Sequence, residues 1–350
     1  MCLRLCKRLA SVLGVILFSL APKLSAQAPR GAVVVLPLQL IAGKPATLGV
    51  LLPDGHVGAN VKVALSSGET LTTDESGRAH FLSPAVPGIL FAQALDTGVI
   101  AAVEIRAGEN EPDLKIKAAP LLSPLDGKLR ILGIGFNGDA DRNEVTLGKQ
   151  RAFILAASPA ELVVLPPLGS VPGLTELDLQ SAGQYAAAQI TLIRVEAATP
   201  RIPPHKKGKI EIRVSGTAEP VSLEVRNLLP DVVQLAIRDE APLRTHGGSD
   251  NSAAIEAKGL RAGDFSFSVR LSPQFQSARI PEARDFLEAA RKIAPEAEKN
   301  LFEKLLNQLE KKNPDASAVR AELKKLAPAG PSGDYGALIH AAQEALFGAD

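Results

Sequence analysis

Tryptophan is absent from this 350-residue chain, and tyrosine occurs only as Tyr185 and Tyr335. Proteins that stack bases or sugar rings usually do so on exposed Trp and Tyr, so a stacking platform has almost no material here. Cysteine is nearly absent too, confined to Cys2 and Cys6. Both precede the first apolar run, so the chain beyond it can form no disulfide, thiolate metal site or thiol nucleophile. No H-E-x-x-H, H-x-H or G-x-S-x-G pattern occurs, and the five histidines (His56, His80, His205, His246, His340) are scattered singly. Zinc and serine-hydrolase chemistry therefore lack their local signatures. The chain is read as non-enzymatic and without a cofactor.

A large charge of either sign is missing as well, with 39 basic side chains against 38 acidic ones. Four of the basic residues, Arg4, Lys7, Arg8 and Lys23, lie in the first 26 residues, which hold no acid. Without them 35 basic face 38 acidic side chains, a charge of −3. Such a product has no general electrostatic pull toward nucleic acid or anionic lipid, and nucleic acid is excluded as a principal partner. The first 26 residues read as a secretory signal: a basic start, an apolar core over Leu9–Ala21, and small residues up to Ala26 for cleavage. The apolar run falls short of the roughly 20 residues a membrane span needs, so no integral span is expected after cleavage. Neither cysteine follows the core, where a lipid anchor would have to sit. No Asn-x-Ser/Thr acceptor occurs, which fits export to a periplasm, cell envelope or bacterial exterior.

What is present is β patterning. With 46% hydrophobic and 22% charged residues, a folded chain is expected rather than a disordered one. Over residues 30–115, short runs at Ala32–Val35, Ala46–Leu52, Val61–Leu65, Ala79–Leu82, Ile89–Ala94 and Ile100–Ile105 are separated by turn residues at sandwich spacing. The clearest reversal is Asp74-Glu75-Ser76-Gly77, where Gly77 can take a positive φ and Phe81 resumes the strand inward. That Thr73-Asp74-x-x-Gly77-x-Ala79-x-Phe81 stretch resembles carboxypeptidase-regulatory-like and bacterial Ig-like modules of surface proteins.

Over residues 120–197, Gly133-Ile134-Gly135-Phe136 ends an alternating strand. Asn143-Glu144-Val145-Thr146-Leu147-Gly148, the corner Pro166-Pro167 and Pro172-Gly173 follow in order. This succession resembles the IPT/TIG family of Ig-like domains. The resemblance implies a sandwich scaffold without shared catalytic residues. Arg201–Lys209 reads as a stiff basic linker. Runs at Ile210–Val214, Val221–Val225, Val232–Ile237, Ser252–Ile255 and Phe265–Leu271 then predict a third, shorter sandwich over 205–274.

From 280 to 350 the period becomes helical. Phe286, Ala290 and Ile293 share one face, as do Leu301, Leu305 and Leu309, and Val319, Leu323 and Leu326. These helices are expected to fold back as a small bundle or to pack on the last sandwich. The whole is mainly β: tandem Ig-like sandwiches followed by a small helical region.

Two constellations are candidate sites. Asp139, Asp141 and Asn143 place oxygens at alternate positions, as calcium loops do, but the EF-hand glycine and bidentate glutamate are missing. Lys206, Lys207 and Lys209 form a basic run suited to an anionic ligand. The expected role is an exported scaffold binding a protein or cell-surface glycan. The alternatives are an accessory subunit of a polysaccharide-active enzyme and a calcium-dependent lectin-like module.

Overall fold

A computed structural model describes residues 31–348 except 96, 109–112, 199, 237–241 and 327–332. The expected leader, 1–26, lies outside the described residues. No helix among the described residues is long and apolar enough to cross a membrane.

The first module holds β1 (Val33–Val35), β2 (Gln39–Ile41), β3 (Pro45–Leu51), β4 (Lys62–Leu65), β5 (Thr70–Thr72), β6 (Arg78–Leu82), β7 (Gly88–Ala94) and β8 (Ile100–Arg106). β1, β3 and β6 form one layer and β2-β8-β7-β4-β5 the other. Alternate residues such as Leu48, Val50, Val63, Leu90 and Val103 meet between them as a dry core. The β5–β6 reversal is built as the sequence predicts: Asp74 Oδ1 accepts from the backbone N–H groups of Ser76 (2.9 Å) and Arg78 (3.0 Å), and Gly77 sits at φ 72°.

The second module holds β9 (Lys115–Ala118), β10 (Leu122–Pro124), β11 (Leu129–Ile134), β12 (Asn143–Leu147), β13 (Gln150–Arg151), β14 (Phe153–Ala157), β15 (Glu161–Leu165), β16 (Gly173–Ser181) and β17 (Gln184–Ala198). Its layers are β14-β15-β11-β9 and β13-β12-β16-β17, with β10 pairing parallel to β17. The two glycines before Phe136 have steric causes. Gly135 turns at φ 75°, and a Cβ on Gly133 would lie 2.2 Å from both the Lys115 carbonyl oxygen and the Phe136 ring.

The third module holds β18 (Lys207–Ser215), β19 (Ser222–Asn227), β20 (Val233–Leu235), β21 (Leu243–Arg244), β22 (Ser252–Gly259) and β23 (Phe267–Leu271). β18-β22-β20 faces β21-β19-β23, and Ile210, Ile212, Leu223 and Ile255 fill the space between.

The chain is mainly β, in tandem two-layer sandwiches followed by helices, as expected. The joints differ from expectation. From Lys207 onward the supposed linker is strand β18, hydrogen-bonded to β17 along Arg194–Ala198. The 15-residue β17 therefore carries one eight-stranded sheet through both modules. Ile190 and Leu192 enter the second core, whereas Ile193 and Val195 enter the third. Consecutive residues of a strand point to opposite faces, so the two cores lie on opposite sides of the shared sheet.

The first and second modules are also fused, through the Thr47–Ala157 pairing of β3 with β14. Val35, Leu155, Ala156 and Val163 form a small buried seam there. β14 and β15 are buried on both faces for this reason, and Phe153–Ala157 and Leu162–Leu165 read as unbroken apolar runs instead of alternations. Glycine permits the approach: a Cβ on Gly138 would fall 1.7 Å from the Pro45 carbonyl oxygen, and one on Gly49 2.4 Å from Leu155 Cδ1.

The helices are α1 (Ile280–Ile293), α2 (Lys299–Leu309), α3 (Ala316–Leu326) and α4 (Gly333–Phe347). Pro281 opens α1. Asp315 caps α3 by accepting from the N–H of Ser317 (2.9 Å). Phe286, Ala290, Leu305, Leu309 and Leu323 are buried as their periodicity predicts, but Ile293 ends α1 in solvent, 54% exposed. The bundle does not rest chiefly on the last sandwich. Its core includes Leu38 and Ala102 of the first module, with Ile89, Phe91 and Ile100 packed against it. The outer faces of β7 and β8 are apolar and need covering, and that need draws the C-terminal helices back to the first module.

Candidate binding cleft

Period-two alternation along β19 and β23 turns Val225 and Val269 toward the third core. The pairs Glu224–Arg270 and Arg226–Ser268, in register, then point outward. On α3, Val319 and Leu323 are buried, and Arg320 and Lys324, the next residue after each, flank them on the cleft side. Between this sheet face and helices α3 and α4 lies a cleft of about 880 Å³, closed at the α4 end by His340, Gln343, Glu344 and Phe347. That volume falls within the roughly 300–1,000 Å³ of ordinary ligand sites.

Among its described lining residues the cleft carries more positive than negative charge. Glu224 accepts from Arg270 through Nη2 (2.8 Å) and Nε (3.1 Å), and from Arg320 on its other oxygen. One carboxylate thus serves two guanidinium groups. Arg320 also sits over the Phe347 ring, 5.6 Å from its centre. Arg226 and Lys324 are exposed, and neither makes an ion pair among the described residues.

The second acid, Glu344, is turned into the protein. It accepts from Arg130 Nε (3.1 Å) and lies 3.9 Å from Lys128 Nζ. Burial pushes its carboxyl up, but the charges of Arg130, Lys128 and His340 outweigh that and hold it at about 2.

Behind the cleft a buried ion network clamps three parts of the chain. Glu161, fully buried on β15, accepts from Arg130 Nη1 (3.0 Å), Arg279 Nη2 (2.9 Å) and the Leu38 N–H (2.7 Å). Burial raises the Glu161 carboxyl, but Arg279 and Arg130 bring it below the usual range. Arg130 Nη1 also donates to the Leu36 carbonyl (3.0 Å). First module, second module and helices therefore share one set of charges. This network holds the α4 wall of the cleft on the first two sandwiches, and the Arg320–Glu224 pair ties α3 to the β19 wall before any ligand arrives.

The sequence-predicted sites lie elsewhere. Asp139 and Asp141 sit in the β11–β12 loop and meet His80 of β6, the three ligand atoms lying within 4.8 Å of one another. All three are engaged. Arg78 Nη2 lies 2.7 Å from Asp141, and Asp139 accepts from the Asp141 N–H (3.0 Å). The Thr47 hydroxyl gives its one proton to the Gly138 carbonyl (2.7 Å) and so accepts from His80 Nδ1 at 3.0 Å. Asn143 is buried and braces the loop, its amide donating to the carbonyls of Asn137 (2.7 Å) and Asp139 (3.0 Å). The loop joins two modules, and the Asn143 side-chain oxygen already accepts from the Asn137 N–H (2.9 Å).

Lys206, Lys207 and Lys209 are exposed. β-pairing sets Lys207 opposite Lys258 and Lys209 opposite Glu256. Lys258 stands opposite Gln234, which lines the cleft. Sequence reasoning missed Arg226, Arg270, Arg320 and Lys324. Each is an isolated cation in an alternating strand or helix, and only the folding of α3 and α4 against β19–β23 collects them.

No protein-family model and no curated protein matches the chain. Solved structures similar to parts of it include SGBP-B of the Bacteroides ovatus mixed-linkage glucan utilization locus, in complex with a mixed-linkage heptasaccharide (11% identity, 67% of this chain and 72% of that one, TM-score 0.25). The titin I9–I11 tandem is another (8% identity, 69% and 95% covered, TM-score 0.20). The N-terminal four Ig domains of Dscam1 isoform 6.44 are a third (12% identity, 67% and 73% covered, TM-score 0.22). At such scores these likenesses carry no argument about ligand or mechanism, and the β-sandwich architecture rests on this chain's own strand pairing.

Proposed function

We propose that the chain is an exported, non-enzymatic binding scaffold that holds a protein or glycan partner in the cleft between the third sandwich and the helices. The observation that carries this reading is the preformed cleft itself. Its walls come from distant segments, Glu224 and Arg320 lying 96 residues apart, and buried charges tie its helical side to two sandwiches, so a partner meets rigid surfaces. The chemistry of the lining supports binding over catalysis. Glycoside hydrolysis needs a pair of carboxyl groups free to exchange protons, and both cleft carboxylates are neutralised by arginine. The basic start and apolar run of the first 26 residues support export. The Gly133–Gly135–Phe136 strand end and the Asn143 brace support an IPT/TIG-type second module.

The test is capture on immobilised full-length chain from envelope protein and polysaccharide fractions, in parallel with Arg226→Glu. A partner retained by the wild type and lost by the variant is the expected result. Equal retention on both rejects the cleft as the binding surface. Co-purification of a polysaccharide hydrolase would select the accessory-subunit form of the same reading.

A further inference from the structure

Resting on that reading, we infer that the cleft takes an acidic glycan, a run of carboxylate- or sulfate-bearing sugars. Three properties of the lining narrow the chemistry. First, positive charge is in excess among the described lining residues, where Arg226 and Lys324 make no ion pair. Guanidinium groups fixed on a sheet face suit carboxylate and sulfate oxygens, which accept two parallel N–H bonds. Second, neutral sugar rings are recognised largely by stacking on exposed aromatics. Phe347 is the aromatic of this lining; it is buried, with Arg320 over its face. Third, a peptide in a groove is held by apolar side chains entering apolar pockets. The large apolar side chains of the lining, Leu235, Leu323 and Phe347, are all buried, which leaves prolines such as Pro230 and Pro242 as its exposed apolar residues. Asn227, Gln234, Ser268 and Gln343 instead offer donors and acceptors suited to sugar hydroxyls.

A separate observation extends the site. Gln234, Lys258 and Lys207 occupy one cross-strand row on β20, β22 and β18. Like charges directly opposite each other destabilise a sheet, and the exposed Lys207–Lys258 pair leads from the cleft margin onto the outer face. An anionic chain longer than the cleft would neutralise it. The ligand is therefore a polymer segment and not a single small anion.

Calorimetric titration of the full-length chain tests this with three probes of matched length: a galacturonate oligomer, a cello-oligosaccharide and poly-glutamate. Galacturonate is expected to bind, with affinity falling as sodium chloride rises. Arg226→Ser with Lys324→Ser should weaken it about tenfold or more, as loss of two charge-assisted contacts implies, at an unchanged melting temperature. Lys207→Ser with Lys258→Ser should weaken long oligomers and spare short ones. Equal binding of the neutral oligosaccharide, or full binding by the cleft variant, overturns the inference. Poly-glutamate binding without galacturonate binding also overturns it, by naming an acidic protein as partner, and leaves the scaffold reading standing. Silence with all three probes sinks the acidic-glycan assignment, while the capture assay separately decides whether the cleft holds a partner at all.

Discussion

Glu161 is the residue on which the joining of the modules to the helices can be tested. Its carboxylate is wholly inside the protein and receives two guanidinium groups and one backbone N–H within 3.0 Å. Replacing it with alanine leaves Arg130 with Glu344 and leaves Arg279, also buried, without its carboxylate partner. Removing one partner of a buried ion pair costs about 3–5 kcal/mol, because the remaining charge can neither hydrate nor re-pair. The Leu38 N–H would lose its acceptor as well, adding roughly 1 kcal/mol or more. For a chain of this size, at about 2 cal/mol/K per residue, each kcal/mol corresponds to roughly 1.5 °C, so Glu161→Ala should lower the melting midpoint by about 6 °C or more. Glu161→Gln keeps an acceptor for one donor and should fall between.

Calorimetry with circular dichroism at 222 nm is the assay, because helix loss is read separately from sheet loss. The expected trace shows the helical signal falling ahead of the rest, since the network is the polar tie between α4 and the second sandwich. A shift below about 2 °C would refute the reasoning, because it would equate a buried three-way charge cluster with a surface pair.

The acids of this interface give opposite pH signs. Glu344, depressed from 4.5 to about 2, contributes stability that is present above pH 4.5 and fades as pH falls toward 2. Acid melts should therefore steepen in that window, and Glu344→Gln should flatten them. Glu104 behaves in reverse. Burial raises its carboxyl, Arg106 partly offsets that and Asp285 adds to it, leaving it at about 7. Its contribution is present below pH 4.5 and lost as pH rises through 7. Glu104→Gln should thus be more stable than wild type at pH 8, by up to about 3 kcal/mol, and converge with it near pH 4.5. Equal urea midpoints at pH 8 would contradict this.

At the module seam, Gly138→Ala should destabilise strongly, since its Cβ would enter the Pro45 carbonyl, and a denaturant melt within about 0.5 kcal/mol of wild type would show that the seam yields. Calcium should leave the melting midpoint unchanged relative to chelator, because Arg78 already neutralises Asp141. A clear calcium-dependent rise would restore the cation reading at His80, Asp139 and Asp141.

Local chemistry alone determined a good deal about this protein. Runs such as Ile210–Val214 alternate because one face is dry, Gly77 follows Asp74 because the reversal needs a positive φ, and Val319–Leu323–Leu326 repeat at helical spacing. Strand, turn and helix type were therefore readable at almost every point where one face of an element is buried. β14 and β15 resisted that reading because both their faces are covered, which erases the alternation. The basic stretch before Ile210 was misjudged because exposed lysines on a strand have the composition of a linker. Only the tertiary structure decided how the pieces meet: β17 shared by two cores, helices returning to the first sandwich, and Glu161 gathering arginines from positions 130 and 279. The cleft belongs wholly to this second category. Its cations are single residues in ordinary amphipathic elements, and no local rule relates positions 226, 270, 320 and 324 until distant chain segments are packed against one another.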